Sequence, residues 1–557
     1  MKKIKEFVIK NKIFSILLFI LTIFRIYLAV KIPLFIQADA LYDDFLFIKY
    51  ADSLLHGNWL GDYGYTTLAK SPSFSIFIAF TSLLGIPYSL ALILIYIFAI
   101  IIFIYAIKKI INNKYCLGVL YIFLLFSPVM FHIENVQKIY RGGLIVSFAL
   151  LTVASTIGMY TRRREGIKSM LKWSILLSIS LSFFYFIKED SIWILPFVVT
   201  AIIVLVIDYI KNKKIQNIFK RIFISFLPIF ILIISNITIC SINYFKYGVY
   251  TVSDRTGSNF KKVIEDLTLI DDNKKYGLDV WISKTSMKKA LKESETLYSI
   301  KDEIYDMYNS WGKNKDGEIV GDIIDWKLKE AVNNAGIYNK GGKYTEKFYG
   351  KIHKELQNAF KKGNLKKRKG IKISSMAPVG KKEDFKYLNK KIPESLISIT
   401  TYNQNQIGIY KATGPIDDIA LCDYLTNSIY VVDYSNLGYL NLYVNIGNKI
   451  VTLYQKTGLI TLIVGIVGIV VLLIKSLIQF INKKYDNLSL FLITIGMILI
   501  SFINLFGVEW FCRWCPCMRH IYNYTCGIIP LIQILEIIGF YYLIKTLKDI
   551  ILKAKVL

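Results

Sequence analysis

Between Gln37 and Phe74 the chain reads QADALYDDFLFIKYADSLLHGNWLGDYGYTTLAKSPSF, a polar interval flanked by apolar runs, and it holds the residues best suited to chemistry. Asp39, Asp43 and Asp44 follow the first apolar run closely, which puts their carboxylates at a membrane surface, and Lys70 closes the interval beside Ser71 and Pro72. A carboxylate that takes a proton and cations that hold an anion are the parts of a transfer reaction with a phosphate leaving group. A helix over Tyr42 to Leu55 lines Phe45, Ile48, Ala51 and Leu55 on one face, along the interface. It presents Asp43 and Asp44 at its N-terminus, a favourable end for carboxylates. Neighbouring helical residues point about 100° apart, so only one of the pair aims at a given atom. The face of Asp44 continues through Ile48, Ala51 and Leu55 toward the membrane, which favours Asp44 over Asp43 as the catalytic carboxylate. Helix capping is the simpler role open to both, and Asp39 reads as a loop residue or a supporting partner.

Composition bounds what surrounds this interval. With 557 residues, 54% hydrophobic, and a mean hydropathy of +0.44, the chain reads as a polytopic membrane protein. Its net charge of +29 falls largely in short clusters between apolar runs, where orientation in the bilayer accounts for it, and nucleic-acid binding is excluded on that ground. The start, MKKIKEFVIKNK, is not read as a signal peptide, because the following run is of spanning length and Lys31 and Pro33 precede the small residues Ala38-Asp39-Ala40.

Taken in order, the basic start lies in the cytoplasm, the run from about Ile13 to Ile32 exits, and the acidic loop faces outward. Ser73 to Ile86 is apolar but short and ends at Gly85-Ile86-Pro87, which predicts a re-entrant or interfacial helix before a span over Tyr88 to Ile107. Lys108, Lys109 and Lys114 then fall inside, Ser127 to Tyr140 outside, Arg162 to Arg164 inside, Lys188 to Asp190 outside and Lys211 to Lys214 inside; a full crossing by Ser73 to Ile86 reverses all of them. Residues 1–244 form a transmembrane module, 245–454 an extracytoplasmic domain and 455–557 the C-terminal spans. The domain combines a helical pattern over Thr345 to Lys361 with β-like runs at Ser428 to Tyr434 and Tyr439 to Val444, which predicts a mixed α/β fold. The basic run Lys361 to Lys369 reads as a solvated loop. The whole is a polytopic α-helical protein of about ten transmembrane helices, with both termini cytoplasmic.

This topology gathers ionisable residues on the outer face: the first-loop acids and Lys70, then Glu134, Lys138 and Arg141, then Lys188, Glu189 and Asp190, and lastly Arg513, Arg519 and His520. Charges so near the spans are costly unless paired, wet or functional. Lys70, Arg141 and Lys188 share side and level, as donor-phosphate ligands or as headgroup anchors. Glu189 and Asp190 read as caps of a descending helix. Of the seven cysteines, Cys512, Cys515, Cys517 and Cys526 cluster without a second clean pair at zinc-ligand spacing, so no metal is assigned there, and disulfides or thiols stay open.

The loop with Tyr42-Asp43-Asp44-Phe45, Ala51, Leu54-Leu55, Gly57 and Leu68-Ala69-Lys70-Ser71-Pro72, the short helix ending Leu84-Gly85-Ile86-Pro87, Arg141-Gly142-Gly143-Leu144, and Lys188-Glu189-Asp190-Ser191 with Trp193 and Pro196 together resemble the GT-C class of membrane glycosyltransferases. The likeness is to its protein O-mannosyltransferase-like and aminoarabinose-transferase-like members, spans roughly the first 250 residues, and has a looser echo in Arg519-His520-Ile521-Tyr522. It implies an inverting transfer of a sugar from a polyprenyl-phosphate donor to a cell-envelope glycan, lipid or protein acceptor. It also implies that Asp43 or Asp44 acts as base or helps hold a divalent cation, and that Lys70, Arg141, Lys188, Arg519 and His520 bind substrate. Lys188 stands where relatives often carry Arg, and the outer domain does not look like the β-trefoil of the eukaryotic mannosyltransferases.

A membrane transporter or lipid flippase is the alternative; it predicts charges and broken helices at the midplane and internal repeats. No convincing repeat relates the two halves, and the ionisable residues gather at one face. A receptor or wall-polymer-binding protein leaves the first-loop acids without a task.

Overall fold

A computed structural model describes residues 12–212, 216–272, 277–373, 377–434, 437–515 and 521–554. The basic start before Lys12, together with Cys517, Arg519 and His520, lies outside the described residues. Among those described, nine helices are long and apolar enough to cross a membrane: Lys12–Lys31, Tyr88–Ile107, Gly142–Thr161, Ile167–Tyr185, Ser191–Lys211, Ile218–Tyr247, Gly438–Ile481, Leu488–Trp514 and Cys526–Leu552. At 1.5 Å per residue even 19 residues reach about 29 Å, the depth of the hydrocarbon layer. Their outward residues are large and apolar, as with Ile16, Phe19, Ile20 and Ile23 on the first, so the bundle's flank suits lipid. The chain is a multi-pass membrane protein.

The expectation of ten spanning helices needs correction. The third, between Lys114 and Ser127, is a helix of 12 residues, Lys114–Leu125, about 18 Å long at the helical rise. Pro128 opens a 3-10 turn to Met130, and a π turn follows over Ile133–Gln137. The chain still returns across the bundle here. Tyr88 Oη donates to Tyr140 O at 3.3 Å at one end, and Arg162 Nη2 donates to Tyr105 O at 2.8 Å at the other. Tyr88–Ile107 and Gly142–Thr161 therefore run in the same direction, and residues 108–141 run back between their ends. A broken helix inside a bundle leaves carbonyls without partners. Arg25, buried in the first span, answers this by donating from Nε to Leu125 O at 3.2 Å and from Nη2 to Met130 O at 2.7 Å, with its guanidinium 4.0 Å from the Phe131 ring centroid. A cation within a span is expensive unless it is paired or bonded; here two of the three guanidinium nitrogens close the break.

Ser73–Leu83 is a helix of 11 residues, too short to cross. Ser73 N donates to Phe186 O at 3.2 Å, close to Glu189, and the next helix begins at Tyr88 beside Tyr140. Both ends of the segment thus lie at the same end of the bundle.

The helices Gly438–Ile481 and Ile529–Ala554 meet through glycines. A Cβ on Gly468 would stand 1.9 Å from Gly539 O, and one on Gly539 would stand 2.1 Å from Gly465 O. Small residues permit such backbone approach between membrane helices, where packing replaces the hydrophobic effect. Gly468→Ala is therefore expected to push these helices apart, lower stability by about 1–3 kcal/mol and depress the thermal midpoint in detergent. An unchanged midpoint would show that the two helices separate without cost.

The mixed α/β domain is overturned: among the described residues the hydrophilic region is helical, with isolated bridges and no strand. Gly342–Lys362 buries Thr345, Phe348, Tyr349, Ile352, Leu356 and Ala359, a stripe at helical spacing, against Phe260, Val263, Ile264 and Leu267 of Asn259–Leu269. The two β-like runs fare differently. Tyr430 makes a single bridge to Leu34, and Tyr439 to Val444 forms the first turns of the 44-residue helix Gly438–Ile481. Their β-branched and aromatic content suited a pleat, yet Val444, Gly447 and Val451 are buried at helical spacing and Tyr443 Oη meets Tyr27 Oη at 2.9 Å. Packing against the first span decides the matter. The region also joins the bundle's end, since Trp281 Nε1 donates to Trp514 O at 2.9 Å.

Candidate functional site

The first loop is carried to its partners by short backbone pairings. Leaving the first span, Phe35 N donates to Gln137 O at 2.9 Å and Ala38 N to Thr413 O at 2.8 Å, which lays the strip beside the segment before Lys138 and beside the hydrophilic region. Asp39 is used in this tether, its Oδ1 accepting from Thr413 Oγ1 at 2.6 Å. The helix Asp44–Leu55 then begins, with Asp43 at its N-cap position but making no side-chain cap hydrogen bond. The capping role therefore does not fit Asp43, whose carboxylate turns elsewhere.

Asp43 Oδ1 accepts from Lys70 Nζ at 2.9 Å and from Tyr140 Oη at 3.1 Å. Tyr140 Oη in turn accepts from Arg141 Nη2 at 3.0 Å. Arg141 Nη1 pairs with Glu189 Oε2 at 3.0 Å, and Glu189 Oε1 accepts from Ser71 N at 2.9 Å. Because Ser71 follows Lys70, these contacts close into a ring that joins three loops at one end of the bundle. Its side chains differ in access: Lys70 is 8% and Asp43 53% exposed, while Arg141 is 5% and Glu189 18% exposed. The carboxylate of Asp43 is the member open to a reactant. Glu189, expected as a helix cap, is instead the anion that fixes Arg141 and the end of the first loop.

Asp44 goes inward. It is fully buried, its Oδ2 accepts from Gln37 N at 3.3 Å, and its Oδ1 lies 3.2 Å from Lys138 Nζ. The expectation that it faces the membrane and an arriving lipid does not match this placement. Arg141 and Lys70 are in the ring, whereas Lys188 pairs with Asp190 at 2.7 Å and lies 4.5 Å from the Tyr524 ring centroid.

Electrostatics separates the two acids. Partial desolvation by the surrounding loops pushes the Asp43 carboxyl up, but Lys70, with Arg141 and Lys138 behind it, overrides this and holds it well below the usual carboxylate range. Burial also dominates Asp44; Lys138 opposes it, Asp43 adds to it, and the net effect lifts the group to about 7. Glu189 is driven up by burial and brought down to about 2 by Arg141 and Lys70. Lys70 is lowered, chiefly by burial, against the pull of Asp43.

The raised pKa of Asp44 makes stability depend on pH. The fold favours its neutral form, so its contribution is complete below the ordinary carboxylate pKa of about 4, declines as pH rises toward about 7, and is constant above that. Asp44→Asn is expected to flatten this decline, read as the change in thermal midpoint between pH 5 and pH 8. A variant with the slope of the parent would place the titration elsewhere.

Sequence reasoning gave no role to Tyr140, Arg255 or Trp326. Arg255 reaches the site from the hydrophilic region because Asp254 N donates to Leu68 O at 2.8 Å, beside Lys70. Its guanidinium lies 5.3 Å from the Trp326 ring centroid, and Nη1 is 3.4 Å from Asp322 Oδ2. Nothing local in the sequence marks it, since the pairing closes a loop of nearly two hundred residues. A divalent cation at Asp43 and Asp44 is poorly served: lysines already occupy both carboxylates, and among the described residues no three His, Cys, Asp or Glu side chains converge. The cysteine cluster lies partly outside the described residues; within them, Cys526 Sγ donates to Gly142 O at 3.6 Å.

Comparison of the chain with protein-family models, curated proteins and solved structures returns no match.

Proposed function

We propose that the chain is a membrane glycosyltransferase of GT-C type that moves a sugar from a polyprenyl-phosphate donor to an acceptor on the extracytoplasmic face, with inversion. The observation that carries this reading is the ring of Asp43, Lys70, Tyr140, Arg141 and Glu189, in which an accessible carboxylate touches the buried Lys70 and is joined to the buried Arg141 through the Tyr140 hydroxyl, at the end of a membrane bundle. Asp43 takes the proton of the acceptor hydroxyl as its oxygen bonds to the anomeric carbon. The bond from that carbon to the phosphate oxygen breaks, its electron pair leaves with polyprenyl phosphate, and Lys70, Arg141 and Arg255 stabilise the added negative charge. A carboxylate pinned by Lys70 is a weak base. A donor phosphate that draws Lys70 and Arg141 toward itself raises the basicity of Asp43, so base activation follows donor binding.

The placement on the outer face rests on the opposite end of the bundle. There Arg163 and Arg164 meet Asp208 at 3.0 and 2.6 Å, and Lys109 meets Glu165 at 2.7 Å, a basic cluster of the kind retained on the cytoplasmic side. The transporter reading keeps supporting observations of its own, the buried Glu536 and Gln533 within the last span and the buried Arg25 of the first span beside the helix broken after Leu125. Purified protein incubated with a panel of polyprenyl-phosphate sugars and envelope acceptors distinguishes the two. Transfer should release polyprenyl phosphate; movement of donor across vesicles without its consumption would favour the transporter and end the glycosyltransferase reading.

A further inference from the structure

Tyr42, the residue before Asp43, stands in a row of aromatic rings supplied by the hydrophilic region. It stacks on Trp326 with ring centroids 4.6 Å apart and planes 22° from parallel, and lies 6.3 Å from Trp311 at 16°. The inner end of the row is at the reacting centre, because Lys70 Nζ, which pairs with Asp43, is 5.7 Å from the Trp326 centroid. The outer end is Trp311, 49% exposed. The row is fixed: Tyr42 Oη donates to Glu330, Lys327 pairs with Glu330, and Lys327 Nζ lies 4.7 Å from the Trp311 centroid.

The hydrophilic region is already docked onto the first loop by the backbone bonds Asp254 N to Leu68 O and Ala38 N to Thr413 O, by Thr413 on Asp39 and by the stacking of Trp326 on Tyr42. Docking does not require a second indole, nearly parallel to Tyr42 and half open to solvent. A lipid acceptor is not suited by this surface, where Lys327 lies over Trp311, Lys70 and Arg255 lie over Trp326, and Glu330 holds the Tyr42 hydroxyl. The exposed part of the Trp311 indole, with charged donors and acceptors beside it, matches the two characters of a sugar ring, apolar C–H groups across the face and hydroxyls around the rim. We infer that Trp311, Tyr42 and Trp326 form an acceptor subsite that takes a sugar chain, with the reactive hydroxyl at Asp43 and an earlier sugar of the chain against Trp311. The inference rests on the glycosyltransferase reading and names its acceptor class.

The test uses the full-length protein and its Trp311→Ala and Trp311→Phe variants, with neutral tetrasaccharides of glucose and of N-acetylglucosamine, α- and β-linked, as probes. Binding of the probes is measured first without donor, so that it stands apart from turnover. At least one tetrasaccharide should bind, Trp311→Ala should weaken it about tenfold, and Trp311→Phe should retain most of the affinity. In transfer assays Trp311→Ala should raise KM for the saccharide with kcat and donor affinity within about twofold. Absence of binding by the whole panel overturns the subsite, as does equal binding by parent and Trp311→Ala. A fall in kcat with every acceptor, including a serine peptide or a polyprenol, would mark Trp311 as a domain clamp and likewise overturn it. Saccharide binding that depends on Trp311 but without any transfer would keep the subsite and remove the glycosyltransferase reading.

Discussion

Asp43→Asn is expected to lower sugar transfer by about a hundredfold to ten-thousandfold at saturating donor, the range lost with a general base, and to lower the thermal midpoint modestly, because buried Lys70 loses its charged partner. The amide keeps an oxygen where Lys70 Nζ and Tyr140 Oη donate at 2.9 and 3.1 Å, so the ring of contacts persists while its proton acceptor is gone. No helix cap is lost, because the Asp43 side chain makes no cap hydrogen bond. Asp44→Asn should act the other way, changing the pH dependence of stability and reducing turnover by less than tenfold, since Asp44 presents no surface to a substrate. Turnover by both folded variants decides between the neighbours. Near-normal activity of Asp43→Asn beside an inactive Asp44→Asn would falsify the assignment of the base.

Arg141→Ala should cost both stability and donor binding. The guanidinium is buried and joins Tyr140 to Glu189, and its loss leaves Glu189 charged without its main partner. Removing one member of a buried ion pair typically destabilises by about 3–5 kcal/mol. Arg141→Lys keeps the charge but not the fork that holds two partners at once, so partial recovery is expected. The double variant Arg141→Ala with Glu189→Gln separates the two roles: neutralising Glu189 should restore much of the thermal midpoint, while affinity for a polyprenyl-phosphate sugar remains low. Full return of donor affinity in the double variant would make Arg141 a scaffold residue and leave Lys70 and Arg255 to hold the phosphate.

The length and hydropathy of single segments determined the membrane class, because spanning a hydrocarbon layer about 30 Å deep is a requirement each helix meets alone. The same local reasoning located the acidic loop, Lys70 and Arg141, and the helix around Thr345 to Lys361, whose stripe repeats within one segment. It failed where one segment's behaviour depends on another. The third crossing is broken because Pro128 ends it and Arg25, a hundred residues earlier, satisfies the freed carbonyls. Tyr439 to Val444 is helical because the first span supplies a surface for it. The choice between Asp43 and Asp44 turned on where the helix starts and on which lysine reaches which carboxylate, Lys70 for one and Lys138 for the other. The roles of Glu189, Arg255 and Trp326 came from contacts between distant loops. Hydropathy is a property of neighbours in sequence, whereas an ion pair is decided by chain closure, and only the tertiary structure brings these charges and rings to one end of the bundle.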